Sequence, residues 1–335
     1  MNYFLNIETV LADEPKYRIK QVKQAVFCDF VSDWGDIRSL PLQLRERLRK
    51  EVPLEIRAQS FISDKKDSIK ALITLEDEAL IETVLMRHQN GRNTVCVSTQ
   101  VGCPMGCAFC ATGTMGFVRN LTSDEIVIQV LFFARYLKQF DKRVSGVVFM
   151  GMGEPFLNYD KVMKAIDLLH DVEGLNIGAR RFSISTCGIL EGIKKLAKEP
   201  LDINLAISLH ASNDEIRRRL MPIAKTQTIQ ELLKYVDDYI TMTNRRVMFE
   251  YVMIAGINDT DEHARQLVAL MKKPLYVVNL ISYNATGEFK ASSQDWIQRF
   301  KEILDKNSVR VTIRHRFGRD IKGACGQLVT DQCIR

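Results

Sequence analysis

The chain has 335 residues, 46% apolar and 26% charged, with 18 Gly and 8 Pro, which excludes a disordered or fibrous protein and suits about two domains or one large α/β barrel with an attachment. No apolar run reaches the roughly 18 residues of a membrane span, since even the stretch 126–137 carries Gln129 and Arg135, and the acids Glu8, Asp13 and Glu14 make the start unlike a secretory signal; a cytoplasmic protein without membrane contact is expected. The 47 basic and 41 acidic side chains give +6, with the surplus lying beyond residue 88 and densest at Arg310, Arg314, Arg316, Arg319 and Lys322, a skew that permits a polyanionic partner such as RNA.

In chain order, residues 17–30 place Ile19, Val22, Ala25, Val26 and Phe30 at helical spacing, with Lys16, Arg18, Lys20 and Lys23 on other faces. A second helix is expected over 41–51, and 68–86 reads as β-structure before the polar break 88–93. That break sets off an N-terminal module, 1–88, a candidate RNA-docking domain. Strands are then expected at 94–97, 146–150, 181–186, 203–208, 247–253, 275–281 and 309–314. They alternate with helices at 123–139, 159–171, 190–198, 229–241, 261–272 and 294–305. Thr122 followed three positions on by Glu125 makes a capping box for the first of these helices. Repeated strand-then-helix units demand parallel strands with right-handed crossovers. The expected fold is therefore α/β: a partial (β/α) barrel over 89–318 with a small N-terminal accessory domain and a C-terminal segment, 319–335. A doubly wound open sheet is the alternative.

Eight cysteines in a reducing compartment are more readily ligands or reactive thiols than disulfides. Three stand in Cys103-Pro-Met-Gly-Cys107-Ala-Phe-Cys110, directly after the first barrel strand, where Pro104 and Gly106 favour a loop over a helix. Structural zinc normally takes four protein ligands, and no second pair lies nearby. Three thiolates suit a [4Fe–4S] cluster whose fourth iron stays open to a small molecule; packing or zinc-bound cysteines are the bland alternative. The spacing, with an aromatic before the last cysteine, resembles the signature of the radical S-adenosylmethionine (SAM) enzymes, which implies SAM at that open iron.

Later strands end in polar or Gly-rich segments: Gly153-Glu154, Ser185-Thr186-Cys187, Ser208-Leu209-His210 and Tyr283-Asn284. Each alone is ordinary turn chemistry, and Cys187 fits a packing role. Their recurrence at equivalent strand ends points to one ligand shared at the barrel mouth.

Further segments run from Tyr17-Arg18-Ile-Lys20-Gln21 and Leu40-Pro-Leu-Gln-Leu-Arg45 through Glu82-Thr-Val, Cys96-Val-Ser-Thr-Gln-Val-Gly-Cys103 and Met150-Gly-Met-Gly-Glu154-Pro to Ala324-Cys325-Gly326. With them the chain resembles the RlmN/Cfr family of radical SAM RNA methyltransferases over nearly its whole length. The resemblance implies Cys103, Cys107 and Cys110 as ligands of a [4Fe–4S] cluster. It implies Gly153, Glu154, Ser185, Ser208, Leu209, His210 and Asn284 around SAM, although Ala285 follows Asn284 where the family usually has proline. It further implies Cys325 as methyl acceptor, Cys96 as resolving thiol and Glu82 as proton acceptor. By residue pattern alone, Cys96 equally suits a strand core and Glu82 a solvated strand carboxylate.

Carbon 2 of adenine is not nucleophilic, which is why two extra cysteines are needed. The family route, as the resemblance implies it, methylates Cys325, converts that methyl to a radical that adds to the ring, passes the ring proton to Glu82, and releases product as Cys96 attacks Cys325 to form a disulfide. Implied partners are 23S rRNA, tRNA and an electron-donor protein, with a monomeric enzyme. Methylation at carbon 8 and a non-enzymatic iron–sulfur or zinc RNA-binding protein are the competing readings.

Overall fold

The computed structural model describes Ile7 and residues 10–328. Residues 1–6, 8 and 9 of the expected N-terminal module and 329–335 of the expected C-terminal segment lie outside the described residues.

Ile7 and Val10 are helical, and helices Lys16–Phe27 and Leu42–Glu51 precede strands β1 (Ala58–Ile62), β2 (Ser68–Thr74), β3 (Leu80–Arg87) and β4 (Asn93–Cys96). A two-stranded hairpin, β5 (Gln100–Gly102) with β6 (Phe117–Asn120), brackets the three-cysteine loop. The repeating units follow: β7 (Gly146–Phe149), β8 (Phe182–Thr186), β9 (Asn204–Ser208), β10 (Val247–Met253), β11 (Tyr276–Ser282) and β12 (Val311–Ile313). Helices Ser123–Lys138, Tyr159–His170, Leu190–Leu196, Ile229–Thr243, Asp261–Leu270 and Gln294–Lys306 connect them. The Thr122–Glu125 capping box is formed in both directions.

One ten-stranded sheet runs β1-β2-β3-β4-β7-β8-β9-β10-β11-β12, and from β4 onward neighbours are parallel. A doubly wound sheet needs its strand order to reverse at a switch point. Here the order follows the chain, so right-handed crossovers place the connecting helices on one side and the sheet curls into an open barrel. Its ends, β1 and β12, do not pair with each other.

The polar break 88–93 differs from the expected domain boundary. It is the turn of a β3–β4 hairpin, with Arg87 opposite Asn93 and Gly91 at φ +81°, so the accessory strands extend the barrel's own sheet. A turn rich in Asn and Gly looks the same as a linker until its flanking strands are seen to pair. Helix Lys16–Phe27 also docks on the barrel, through Lys20 to Glu173 at 2.8 Å and Lys23 to Asp171 at 3.4 Å. β1 and the β5–β6 hairpin escape the sequence pattern because β1 is exposed along its length and the hairpin strands are very short.

Register divides the barrel strands into two faces. Val147, Phe149, Phe182, Ile184, Leu205, Ile207, Phe249 and Val278 line the outer face and are fully buried in the main core with the helices. The inner face is polar: Ser208, Glu250, Asn279 and Thr312 stand opposite one another across four strands. Asn279 donates to Glu250 at 2.9 Å and accepts from Thr312 at 2.9 Å. A barrel packed only for stability would fill this face with branched aliphatics.

Candidate active site at the barrel mouth

The three-cysteine loop leaves β5 through Gly102, whose φ of +75° and whose approach to Gly116 leave no room for a Cβ. Cys103 N donates to Gly116 O at 2.8 Å and Ala108 N to Leu220 O at 2.9 Å, pinning both ends of the loop. Cys103, Cys107 and Cys110 line one cavity, which has about 930 Å³ of atom-free space including its mouth, in the size range of small-molecule sites. Burial pushes the Cys103 thiol up to about 12 and also raises Cys107 and Cys110, and Cys107 is raised further by the two neighbouring thiols. Among the described residues no three such side chains close around a single metal ion; the thiols stand around a shared hollow. Three sulfur donors around one hollow fit an iron–sulfur cluster with three protein ligands.

Gly153, Glu154, Ser185, Ser208, His210 and Asn284 line the same cavity. Gly153, at φ +100°, lies against Gln100, where any Cβ would clash. Glu154 is buried, accepts from Cys187 N at 2.8 Å and Phe156 N at 3.0 Å, and has its carboxyl raised by burial against these bonds. His210 Nδ1 accepts from Val252 N at 3.1 Å, so the ring proton belongs on Nε2. Burial lowers this imidazole to about 3, keeping it neutral, and its ring packs edge-to-face on Phe109 at 4.7 Å. Two buried acceptors in this wall, Asn284 Oδ1 and Glu250 Oε1, have no hydrogen-bond partner among the described residues. Unpaired buried acceptors facing a cavity suit a ligand rich in N–H and O–H donors, as SAM is. Leu209 differs from its neighbours: its side chain is buried in the main core rather than lining the cavity.

A second cavity opens alongside, lined by Val84, Met86, Cys96, Arg314, His315 and Phe317 among others, and it shares Met150, Ile281, Ser282, Asn284, Arg314 and Cys325 with the first. Cys325 therefore stands between the two spaces. The strap 314–328 that carries it crosses the open side of the barrel. Asp64 N donates to Asp320, Asn284 Nδ2 to Cys325 O, Ala111 N to Gly326 O and Thr112 Oγ1 to Leu328 O, at 2.6–3.1 Å. Cys96 faces inward opposite Val84. Burial, then Cys325, raises the Cys96 thiol to about 12 while Arg314 opposes the shift.

Glu82 lies on the same face of the sheet as Val84 and Cys96 without lining either cavity. It is buried and bonded to Lys70 Nζ at 2.6 Å. Two arginines lie inside the fold rather than on its basic surface. Arg217 is fully buried, donating to Cys187 O at 2.8 Å, and Arg314 reaches into the barrel, 3.7 Å from Glu250 and 3.3 Å from Met150 Sδ. Arg310, Arg319 and Lys322 do stay exposed. Glu250 was not singled out by the sequence reading. The signal is there, an acid inside the apolar run of β10, VMFEYVM.

Comparison with known proteins agrees with this geometry. Residues 97–268 match the radical SAM superfamily model. A protein of Symbiobacterium thermophilum named "Probable dual-specificity RNA methyltransferase RlmN" is 46% identical over 320 residues, 94% of this chain and 86% of that protein. "Ribosomal RNA large subunit methyltransferase N" of Nitrosopumilus maritimus is 43% identical, over 94% and 93%. The crystal structure of a radical SAM methyltransferase from Sphaerobacter thermophilus superposes with a TM-score of 0.93 at 41% identity, covering 97% of each chain. The chain thus belongs to the radical SAM superfamily and, within it, to the RlmN family of RNA methyltransferases.

Proposed function

We propose that this chain methylates carbon 2 of adenine in 23S rRNA and in tRNA, using Cys325 as methyl carrier and Cys96 as the thiol that releases the product. The observation that carries this reading is the position of Cys325 between the cluster-side cavity and the cavity lined by Cys96. As in the rest of its family, the enzyme uses a [4Fe–4S] cluster and SAM. Cys103, Cys107 and Cys110 would hold the cluster. Gly153, Glu154, Ser185, Ser208, His210 and Asn284 would hold SAM, and Leu209 would do so only through its backbone carbonyl, since its side chain is in the core and its N–H is bonded to Glu250 O at 3.1 Å. When bound, these groups supply a reducing electron, a methyl group and the hydrogen-abstracting radical.

The chain's own residues do the rest. The strap holds the Cys325 sulfur where it can face SAM on one side and an adenine on the other. Glu82, paired with Lys70 on the sheet face that also carries Cys96, takes the proton lost from carbon 2 once the methylene carbon has joined the ring, and the adduct's odd electron would return to the cluster, leaving a closed-shell thioether. Cys96 sulfur then attacks Cys325 sulfur, the bond from that sulfur to the methylene carbon breaks, and the carbon gains a proton to become the product methyl. The two sulfurs are left as a disulfide, which an external thiol reduces.

All seven described cysteines are free, which supports action in a reducing cytoplasm. No helix among the described residues is long and apolar enough to cross a membrane. Action as a monomer, with its electron delivered by a small redox protein, completes the reading. Mass spectrometry of rRNA and tRNA nucleosides from cells with and without the gene tests it. Loss of 2-methyladenosine from both RNAs is expected; loss of 8-methyladenosine instead would overturn the carbon-2 assignment.

A further inference from the structure

Beside the second cavity a surface groove runs between the β3–β4 turn and the strap. Lys65, Asp67, Arg87, His88, His315 and Phe317 line it, and the last two also line the cavity holding Cys96 and Cys325. Three rings meet there. His88 and Phe317 have centroids 5.0 Å apart, His315 and Phe317 4.7 Å, both edge-to-face at 73°. In an edge-to-face pair one ring keeps both faces clear of its partner. Phe317 is half-buried and His315 exposed, and the reaction described above uses neither.

We propose that this groove is a second nucleotide subsite: it takes the base next to the reacting adenosine, stacked on the His88–Phe317–His315 rings, with its phosphate beside Lys65 and Arg87. The inference rests on the RNA-methylating reading and adds the part of the substrate that reading leaves unplaced. An adenine that enters a cavity as deep as Cys96 must leave its own stack, so the neighbouring base loses a stacking partner. An aromatic platform at the rim replaces it, and any base can use such a platform because every base has a π-face.

The charges around the rings agree. Asp67 spends one carboxylate oxygen, Oδ1, on the Ser63 and Ser68 hydroxyls at 3.0 and 2.9 Å, while Lys65 and Arg87 give the groove two cations against this one acid. His88 Nε2 bonds Thr94 Oγ1 at 3.1 Å, fixing the ring. Burial, followed by Arg92, His315 and Arg314, lowers the His88 pKa, so it presents a neutral ring.

The test pairs protein variants with RNA hairpin substrates made abasic on the 5′ or the 3′ side of the reacting adenosine. Binding to the cluster-loaded enzyme is followed by fluorescence anisotropy. One abasic position should weaken wild-type binding about tenfold, as loss of one stacked base does. Phe317→Ala should lose a similar factor on intact RNA and nothing more on that abasic RNA, with His315→Ala showing the same coupling at smaller size. Cluster absorbance and thermal unfolding verify that each variant is folded. Losses that simply multiply, or an abasic site without effect on either side, overturn the subsite. Failure of the methylation reading would show separately, as absence of 2-methyladenosine from intact RNA turned over by wild type.

Discussion

Asn284, at the end of β11, donates its side-chain amide to the backbone carbonyl of Cys325, 3.1 Å away and 41 residues further along the chain. A residue lining the cluster-side cavity thereby sets the position of the thiol between the two cavities. Its other amide atom, Oδ1, has no partner among the described residues and is left for a ligand. Asn284 thus couples the strap to whatever occupies the mouth.

Asn284→Ala removes that tether and one ligand acceptor together. A neutral hydrogen bond contributes about 1 kcal/mol, so each loss is worth roughly fivefold. Methylation of Cys325, read by peptide mass spectrometry, should slow by about 10- to 30-fold while cluster absorbance is unchanged. An unaltered rate would show that the strap is held without it.

The two cysteines beyond the cluster loop should fail differently. Cys325→Ala should give neither methylated RNA nor a protein–RNA adduct, having no sulfur to carry the methyl. Cys96→Ala should permit attachment and block release, leaving RNA joined to Cys325 as a shifted band on a denaturing gel. Turnover by Cys96→Ala without adduct would remove Cys96 from the route.

Cys96 also predicts a pH dependence of stability. Its thiol is raised to about 12 in the fold, chiefly by burial, against about 8.5 in the unfolded chain. Between these values the unfolded state has lost the proton that the folded state keeps, so the unfolded state binds fewer protons. Stability is therefore intact below about pH 8.5 and falls as pH rises toward 12, by about 1.4 kcal/mol per unit from this group. Urea unfolding of wild type and Cys96→Ser from pH 7.5 to 10 should show a steeper alkaline loss for wild type. Parallel curves would count against a buried neutral thiol.

Lys70 and Glu82 form a buried ion pair at 2.6 Å, with side chains only 11% and 4% exposed. Removing one member of such a pair strands the other, at a cost of about 3–5 kcal/mol. Lys70→Met should lower stability by that order in denaturant unfolding, and Lys70→Met with Glu82→Gln should recover much of it. If Lys70→Met costs under about 1 kcal/mol, the carboxylate finds another partner and Lys70 does not hold it.

The alternation of apolar strands with amphipathic helices, the Thr122–Glu125 cap and the three-cysteine loop were all legible in the sequence. Each depends on residues within a few positions of one another, where spacing along the chain and spacing in the fold are nearly the same thing. The β1 edge and the turn at 88–93 were not, because an exposed strand has no apolar pattern and a hairpin turn has the composition of a linker.

The sequence by itself thus determined the repeating units, the cluster loop and the polar strand ends of the barrel mouth. Only the tertiary structure decided which way the charged residues face. Arg314 and Arg310 belong to one basic run, yet Arg314 enters the barrel beside Glu250 and Arg310 stays in solvent. The Glu250–Asn279–Thr312 row exists only because three strands pair in that register, and a shift of one residue would turn it outward. Cys325 meets Asn284 because the strap crosses the barrel's open side. Register and crossing are set by the burial of the whole core, which no local window of the chain contains.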